Sequence, residues 1–431
     1  MASATKLDVS RSVELYEEAV RLMPGGSQTK GKRPSPALYG AMPIFMSHGR
    51  GSRLWDVNGN SYIDYYGASG GVLLGYCHPD VDRAVAEQLE KGMLFSTPSE
   101  PEIECAKLVN EVVPCSEMVR FLKGGVDVNL CATRIARAYT KREIILNNGY
   151  RGWADEWNYW RNDGGMPAAF HTLNQQFRFN DLNHLEELFK LNDGKVAAVS
   201  FDCAEPAKEP EPGFLEDLRD LAHRHEALVI YDECMTGFRF ALGGAQEYYG
   251  VEPDIATYAK GMANGMSLGA VTGSRDIMEK TADCLISLTF GGETLSLAAS
   301  IATLQICRDE DVAGHINRIS QAVMDGVEEV SHRVGIPMES FGPPALFGIR
   351  FIGGDEPLPA EAGTFFYTGL AKRGVMLKGS WNNVLYAHSD EDVAETLEAV
   401  EDTLLDLRRA RDAGRVSEEV AEATVPFNRP Y

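Results

Sequence analysis

From about residue 80 the chain alternates stretches of helical periodicity with short apolar runs, and this alternation limits the fold more than any other feature. Helical spacing over 80–92 and 101–112 precedes the run Met118 to Leu122. Helical spacing over 127–139 leads to Ile144-Ile145-Leu146, that over 182–190 to Val196 through Phe201, and that over 214–224 to Ala227 through Tyr231. Apolar runs too short for helices, set between helices, fit strands buried on both faces, so an α/β fold with a largely parallel, helix-covered sheet is predicted. A length of 431 residues leaves room for a smaller second unit.

The two ends read differently. Val13, Tyr16, Val20 and Met23 share a helical face that Pro24-Gly25-Gly26 terminates, predicting a helix over 10–23. The segment RLWDVNGNSYIDYYG alternates on both sides of Asn58-Gly59, a dipeptide suited to positive φ, and predicts a hairpin at 53–66. Beyond about residue 330, Phe347 to Phe351 and Val375 to Leu377 read as strands and 390–411 as a long charged helix. Acidic residues outnumber basic ones by 63 to 41, and a net charge of −22 repels phosphate backbones and anionic lipid, so neither nucleic acid nor membrane is an expected partner. The eight cysteines contain no CxxC pair and no metal-ligand spacing, which predicts reduced thiols and no metal site. Acidic residues stand where a signal peptide would carry its apolar core, and no run of 18 apolar residues occurs; a cytoplasmic protein is expected.

The chemistry concentrates in LVIYDECMTGFR (228–239) and IATYAKGMANG (255–265). One apolar strand ends in Asp232; 28 residues later another ends near Lys260. Ligands of open α/β sheets bind beyond the carboxyl ends of the strands, so the two side chains would meet in one crevice. An acid there can keep a cofactor's ring nitrogen protonated, and a desolvated lysine can attack an aldehyde, the minimum apparatus for pyridoxal phosphate. Taken singly, Asp232 could be a helix cap or salt-bridge partner and Lys260 a surface cation. Gly124-Gly125, between an apolar run and the helix bearing Arg134 and Arg137, offers backbone amides to an anion, although such a pair can be only a turn. Tyr150 follows Asn148-Gly149 at the same predicted sheet edge, where its ring can stack on a planar cofactor or pack into the core.

With these residues in view, the chain resembles the class III aminotransferases among the fold-type I pyridoxal-phosphate enzymes, and within them is most similar to the glutamate-semialdehyde aminomutase branch. PGG (24–26), LWDVNGNSYIDYYG (54–67), GYCHPDV (75–81), RIARAYTKR (134–142), GYRGWAD (149–155), DECMTGFR (232–239), AKG (259–261) and LTFGGETLSLAA (288–299) occur in the family's order over nearly the whole chain. The resemblance implies a large domain at 71–325 with a mainly parallel seven-stranded sheet. It also implies a smaller α+β domain built from both termini, 1–70 and 326–431. It makes Lys260 the Schiff-base lysine, Asp232 the partner of the pyridinium nitrogen and Tyr150 a stacking ring. Cys234 takes the place of the usual valine on the other ring face. Gly124, Gly125 and Val126 match the phosphate loop, and Glu205 of the EP motif counts among the cofactor-binding residues. Thr289 matches a threonine that reaches the phosphate of the neighbouring subunit, which implies a homodimer with active sites at its interface.

The chain departs from the family mainly on the substrate side. Gly124-Gly125-Val126 replaces the usual Ser-Gly-Thr and removes two hydroxyl donors. Arg151 stands where histidine is usual, either as a fixed positive charge for a substrate carboxylate or phosphate or as a structural partner of Asp155. The shortened EPAKEPEPGFLEDL lacks the asparagine that approaches the cofactor's phenolic oxygen, with Glu209 as a candidate replacement. Lys32 and Arg33 fall near the aminomutase's carboxylate-binding arginine, and Ser69 falls near its active-site tryptophan. Trp381, Asn382 and Asn383 stand where an acidic residue is usual. These changes argue against glutamate semialdehyde as the substrate. Arg151, Lys32, Arg33 and Arg239 suit an anionic, amino-acid-like molecule, whereas the aromatic content of 153–166 would equally suit an aromatic one. The expected reaction is amino-group transfer. Epimerisation, elimination or replacement, and carbon–carbon bond formation share its carbanion, and a non-catalytic scaffold is the rival from another class. A nucleotide-binding protein would need a GxGxxG or Walker sequence, which is missing.

Overall fold

The computed structural model describes residues 7–158, 165–204, 208–352 and 358–427. The chain divides into two compact units, one from the chain up to Gly67, Gly75–Cys77 and Arg318 onward, the other from Ala68–Leu74 and His78–Asn317.

The second unit is built on a seven-stranded sheet. From edge to edge its strands are Met118–Leu122, Gly269–Gly273, Ile255–Tyr258, Leu228–Asp232, Val196–Phe201, Ile144–Asn147 and Asn174–Gln176. Gly269–Gly273 runs antiparallel to both its neighbours, and the remaining pairings are parallel. Every residue of Val196–Phe201 and Leu228–Asp232 is buried, as expected for strands covered on both faces. The helix Gly125–Thr140 turns Val128, Cys131, Ala132, Ile135 and Ala136 toward the sheet, where they pack with Ile145, Ala198 and Ile230. The apolar runs read from the sequence thus supply the central strands, and a mixed α/β fold with a mainly parallel seven-stranded sheet is what forms. Asn174–Gln176 carries no apolar run and pairs only at the edge, against Ile145–Asn147.

The first unit holds a four-stranded sheet, Met46–Arg50, Arg53–Asp56, Ser61–Asp64 and Val375–Met376, the last parallel to its neighbour. The expected hairpin forms around Asn58-Gly59, with Gly59 at φ +90°. Asp56 fixes this turn: its Oδ1 accepts from the backbone N–H of Asn58 and Asn60, both at 2.9 Å, and its Oδ2 from the Tyr62 hydroxyl at 2.8 Å. The helix Ser10–Leu22 ends at Pro24-Gly25-Gly26, and Asp390–Asp412 forms the long charged helix, opened by a reciprocal cap between Ser389 and Asp392. Among the described residues no helix is long and apolar enough to cross a membrane, and no group of three His, Cys, Asp or Glu side chains could hold a metal ion.

Candidate active site

Parallel pairing in the large sheet decides which side chains meet. Asp232 pairs with Thr257 on the neighbouring strand, three residues before Lys260, so acid and amine emerge from adjacent strands at the same carboxyl edge. Asp232 is 3% exposed. Its Oδ1 accepts from the backbone N–H of Cys234 at 3.0 Å, and its Oδ2 from Asn129 Nδ2 at 2.9 Å and an Arg151 NH group at 3.4 Å. Asn129 is a site residue that sequence reasoning misses. Its amide also donates to the Gly125 carbonyl at 2.9 Å and its Oδ1 accepts from the Thr257 hydroxyl at 3.2 Å, tying the helix start to both strand ends.

Lys260 opens a tight helical turn with φ +49°, a left-handed conformation that costs a residue bearing a Cβ about 1–3 kcal/mol and persists only where its surroundings hold it. They do so here. Asn264 Oδ1 accepts the N–H groups of Leu73 and Leu74, both at 2.9 Å, and a β-carbon on Gly261 would lie 3.5 Å from the Gly70 carbonyl oxygen. Ser69 belongs to that apposed left-handed turn, at φ +60°.

Gly124 is extended, and the helix Gly125–Thr140 starts after it with no side-chain cap. The first-turn amides of such a helix point outward as an anion cradle. A β-carbon on Gly124 would meet nothing within 4 Å, and one on Gly125 would touch Cys234 Sγ at 3.4 Å. Cys234 therefore lies between the acid and the cradle. Burial pushes its thiol well up, with Asp232 adding to the effect, so it remains a neutral S–H group. Tyr150 is 55% exposed at this edge.

Arg151 is the surprise of the site. Only 1% exposed, it donates from Nη1 to Asp202 at 2.7 Å as well as to Asp232 and the Tyr150 carbonyl, while Nη2 reaches the carbonyl of Asn148. The charge expected to face a substrate or Asp155 is engaged by these two acids. Asp202 directly follows the strand Val196–Phe201 as Asp232 ends its own, a strand-end signal the sequence carries. Burial pushes the Asp202 carboxyl up, with Arg151 opposing and Asp232 adding to the shift. Glu233, next to the acid, is 1% exposed and accepts from the backbone N–H groups of Ala245 and Gln246 at 2.9 and 3.0 Å.

The remaining expected residues lie elsewhere. Thr289 is exposed in the irregular segment before the helix Thr294–Asp309. Lys32, Arg33 and Trp381 belong to the other unit. There Lys32 is exposed, the Arg33 guanidinium lies against Gly25, and Trp381 precedes Asn382 and Asn383, whose buried amides fold their loop by bonding Lys378, Phe347 and Tyr66. Glu205 falls outside the described residues.

The family model for "Aminotransferase class-III" matches residues 35–404. The chain belongs to this family. Among curated relatives, the 3-aminobutyryl-CoA aminotransferase of Cloacimonas acidaminovorans is 34% identical, covering 94% of this chain and 99% of its own. The glutamate-1-semialdehyde 2,1-aminomutase of Archaeoglobus fulgidus is 35% identical, covering 93% and 100%. Among solved structures, the FumI protein of Sphingopyxis sp. MTA144 in its PLP internal aldimine form superposes with a TM-score of 0.87 at 27% identity, covering 94% of this chain and 98% of that one. The class III protein is thus a pyridoxal-phosphate enzyme of the aminotransferase and aminomutase type. Its own residues fit that cofactor: a buried carboxylate for the ring nitrogen, a capless helix start with open space at Gly124 for the phosphate, and an amine in the turn that follows the adjacent strand.

Proposed function

We propose that this enzyme transfers an amino group to or from a small anionic, amino-acid-like substrate, with Lys260 holding the cofactor. The observation that carries this reading is the buried Asp232 carboxylate, set between the Gly124–Gly125 helix start and the strand that leads to Lys260. When bound, pyridoxal phosphate supplies an electron sink for the substrate carbon that loses its proton. Asp232 would hold the ring nitrogen protonated, Gly124, Gly125 and Val126 the phosphate, and Cys234 and Tyr150 the two ring faces. Lys260, once released, would take the proton from the substrate carbon and deliver it elsewhere. In this reading residues 71–325 form the cofactor domain, and 1–70 with 326–431 form the smaller one.

The working form in this reading is a homodimer in which Thr289 completes the partner's phosphate site. Exposed apolar side chains support it: Leu285, Leu288 and Phe290 flank Thr289, and Met93, Leu94 and Phe95 lie on a segment joined to the start of the next helix by the Thr294 N–H and hydroxyl. Eight free thiols are consistent with a reducing, cytoplasmic setting.

The test is the near-ultraviolet and visible spectrum of purified protein with added cofactor, beside Lys260→Ala, followed by amine donors. The panel should include glutamate semialdehyde and a coenzyme A thioester of a β-amino acid, because the relatives are named for those substrates. Loss of the wild-type band in Lys260→Ala and a stoichiometric oxo product from one donor support transfer. Exchange of the substrate's α-hydrogen with solvent deuterium without an oxo product would instead assign isomerisation, and absence of any band would leave a scaffold.

A further inference from the structure

We propose that Arg151 and Asp202 are positioning residues that set the field around Asp232: Asp202 balances the guanidinium, so that the negative charge of Asp232 acts on the cofactor's ring nitrogen without being offset. The inference rests on the reading of Asp232 given above.

Arg151 lies between two carboxylates and is closer to Asp202, at 2.7 Å against 3.4 Å to Asp232. Two acids and one guanidinium carry a net charge of −1 when all are ionised. Asp232's other donors, the Asn129 amide and the Cys234 N–H, are neutral, so Arg151 is its charged hydrogen-bond partner among the described residues. An unbalanced cation at that distance in a buried site would offset the Asp232 charge with positive potential of its own and disfavour a protonated ring nitrogen. Arginine cannot shed its charge, so a balancing acid must be built in.

The loop geometry shows that it is. Gly149 adopts φ +78°, and a β-carbon there would come within 2.9 Å of Asp202 Oδ2, so glycine lets the turn Asn148–Arg151 close over the ion pair without displacing it. Arg151's NH groups are also held by the Tyr150 and Asn148 carbonyls, which aim the guanidinium between the acids. The charged groups that act on Asp202 are Arg151 from this loop, Asp232 from the adjacent strand and Lys260 from the turn after the strand beyond, with the neutral thiols of Cys203 and Cys234 beside them.

The experiment uses full-length protein loaded with pyridoxal phosphate carrying 15N in the ring. The ring-nitrogen chemical shift and the cofactor dissociation constant are measured for wild type, Asp202→Asn, Arg151→Gln and the double variant. Asp202→Asn, with an unbalanced Arg151, is expected to move the ring nitrogen toward its unprotonated shift and weaken cofactor binding about ten- to a hundredfold. The double variant, which removes both charges together, is expected to return both readouts toward wild type. A merely structural ion pair gives the opposite pattern, with the double variant no better than Asp202→Asn; that result, or a wild-type ring shift in Asp202→Asn, overturns the proposal. Asp202→Glu keeps the charge and should keep the ring protonated, which guards against a variant that simply misfolds. Asp232→Asn separates the two levels: an unchanged ring nitrogen there, or no cofactor binding by wild type, sinks the underlying assignment and this inference with it. A shift in Asp232→Asn but not in Asp202→Asn sinks this inference alone.

Discussion

Asn129 donates to the Asp232 carboxylate at 2.9 Å across 103 residues of sequence, and both side chains are buried. The same amide holds the Gly125 carbonyl, so one side chain sets the distance between the acid and the helix start. Asn129→Ala removes a charge-assisted bond and leaves Thr257 without its amide partner. Cofactor affinity is expected to fall about tenfold, read by titrating the cofactor-free protein.

Gly149→Ala should cost more than an ordinary glycine replacement, since it adds contact with Asp202 to the strain of positive φ. Gly194 has φ +66° with open space around it and isolates the backbone part. Thermal unfolding should rank Gly149→Ala below Gly194→Ala, with the backbone part alone about 1–2 kcal/mol.

Glu233 carries a pH signature. Burial pushes its carboxyl from 4.5 up to about 7, against the opposing bonds from Thr236, Ala245 and Gln246. A group whose pKa is higher in the folded state stabilises the fold below its unfolded pKa, and that contribution is lost as pH rises through the folded value. Relative to Glu233→Gln, wild type should therefore lose about 3 kcal/mol as pH rises from the acid side past neutrality. Urea unfolding of both proteins across that range checks the slope, independently of any constant cost of the substitution.

Asp56→Ala leaves the Asn58 and Asn60 amides and the Tyr62 hydroxyl without their acceptor in the hairpin. The expected loss is about 2–4 kcal/mol, seen as a lower urea midpoint with an unchanged slope.

Charge placed on the segment around Thr289 should break the proposed dimer. Leu285→Asp with Phe290→Asp, both on exposed side chains, is expected to give a folded monomer by light scattering, with weakened cofactor binding.

Much of the fold was legible because buried strands leave a contiguous apolar record: Val196–Phe201 and Leu228–Asp232 are buried at every position. Asn174–Gln176 left no such record, because an edge strand of three polar residues forms only once Ile145–Asn147 is there to pair with it. At the candidate site, Asp232 and Lys260 were legible from their places at strand ends. Asp202 obeys the same rule after Phe201. Asn129 lies one helical turn beyond Gly125 and has no local signature.

The sequence alone determined the alternation of helices and buried strands, the hairpin at Asn58-Gly59 and the acid and amine at the sheet edge, because each is written in local periodicity or in a residue's own backbone preference. The partners of Arg151 were decided only by tertiary structure. Asp202 and Asp232 lie 51 and 81 residues away and reach it through parallel pairing of their strands and the closure of the Gly149 turn. A buried guanidinium takes whichever carboxylates the folded backbone brings within hydrogen-bond reach, and no spacing along the chain encodes that distance.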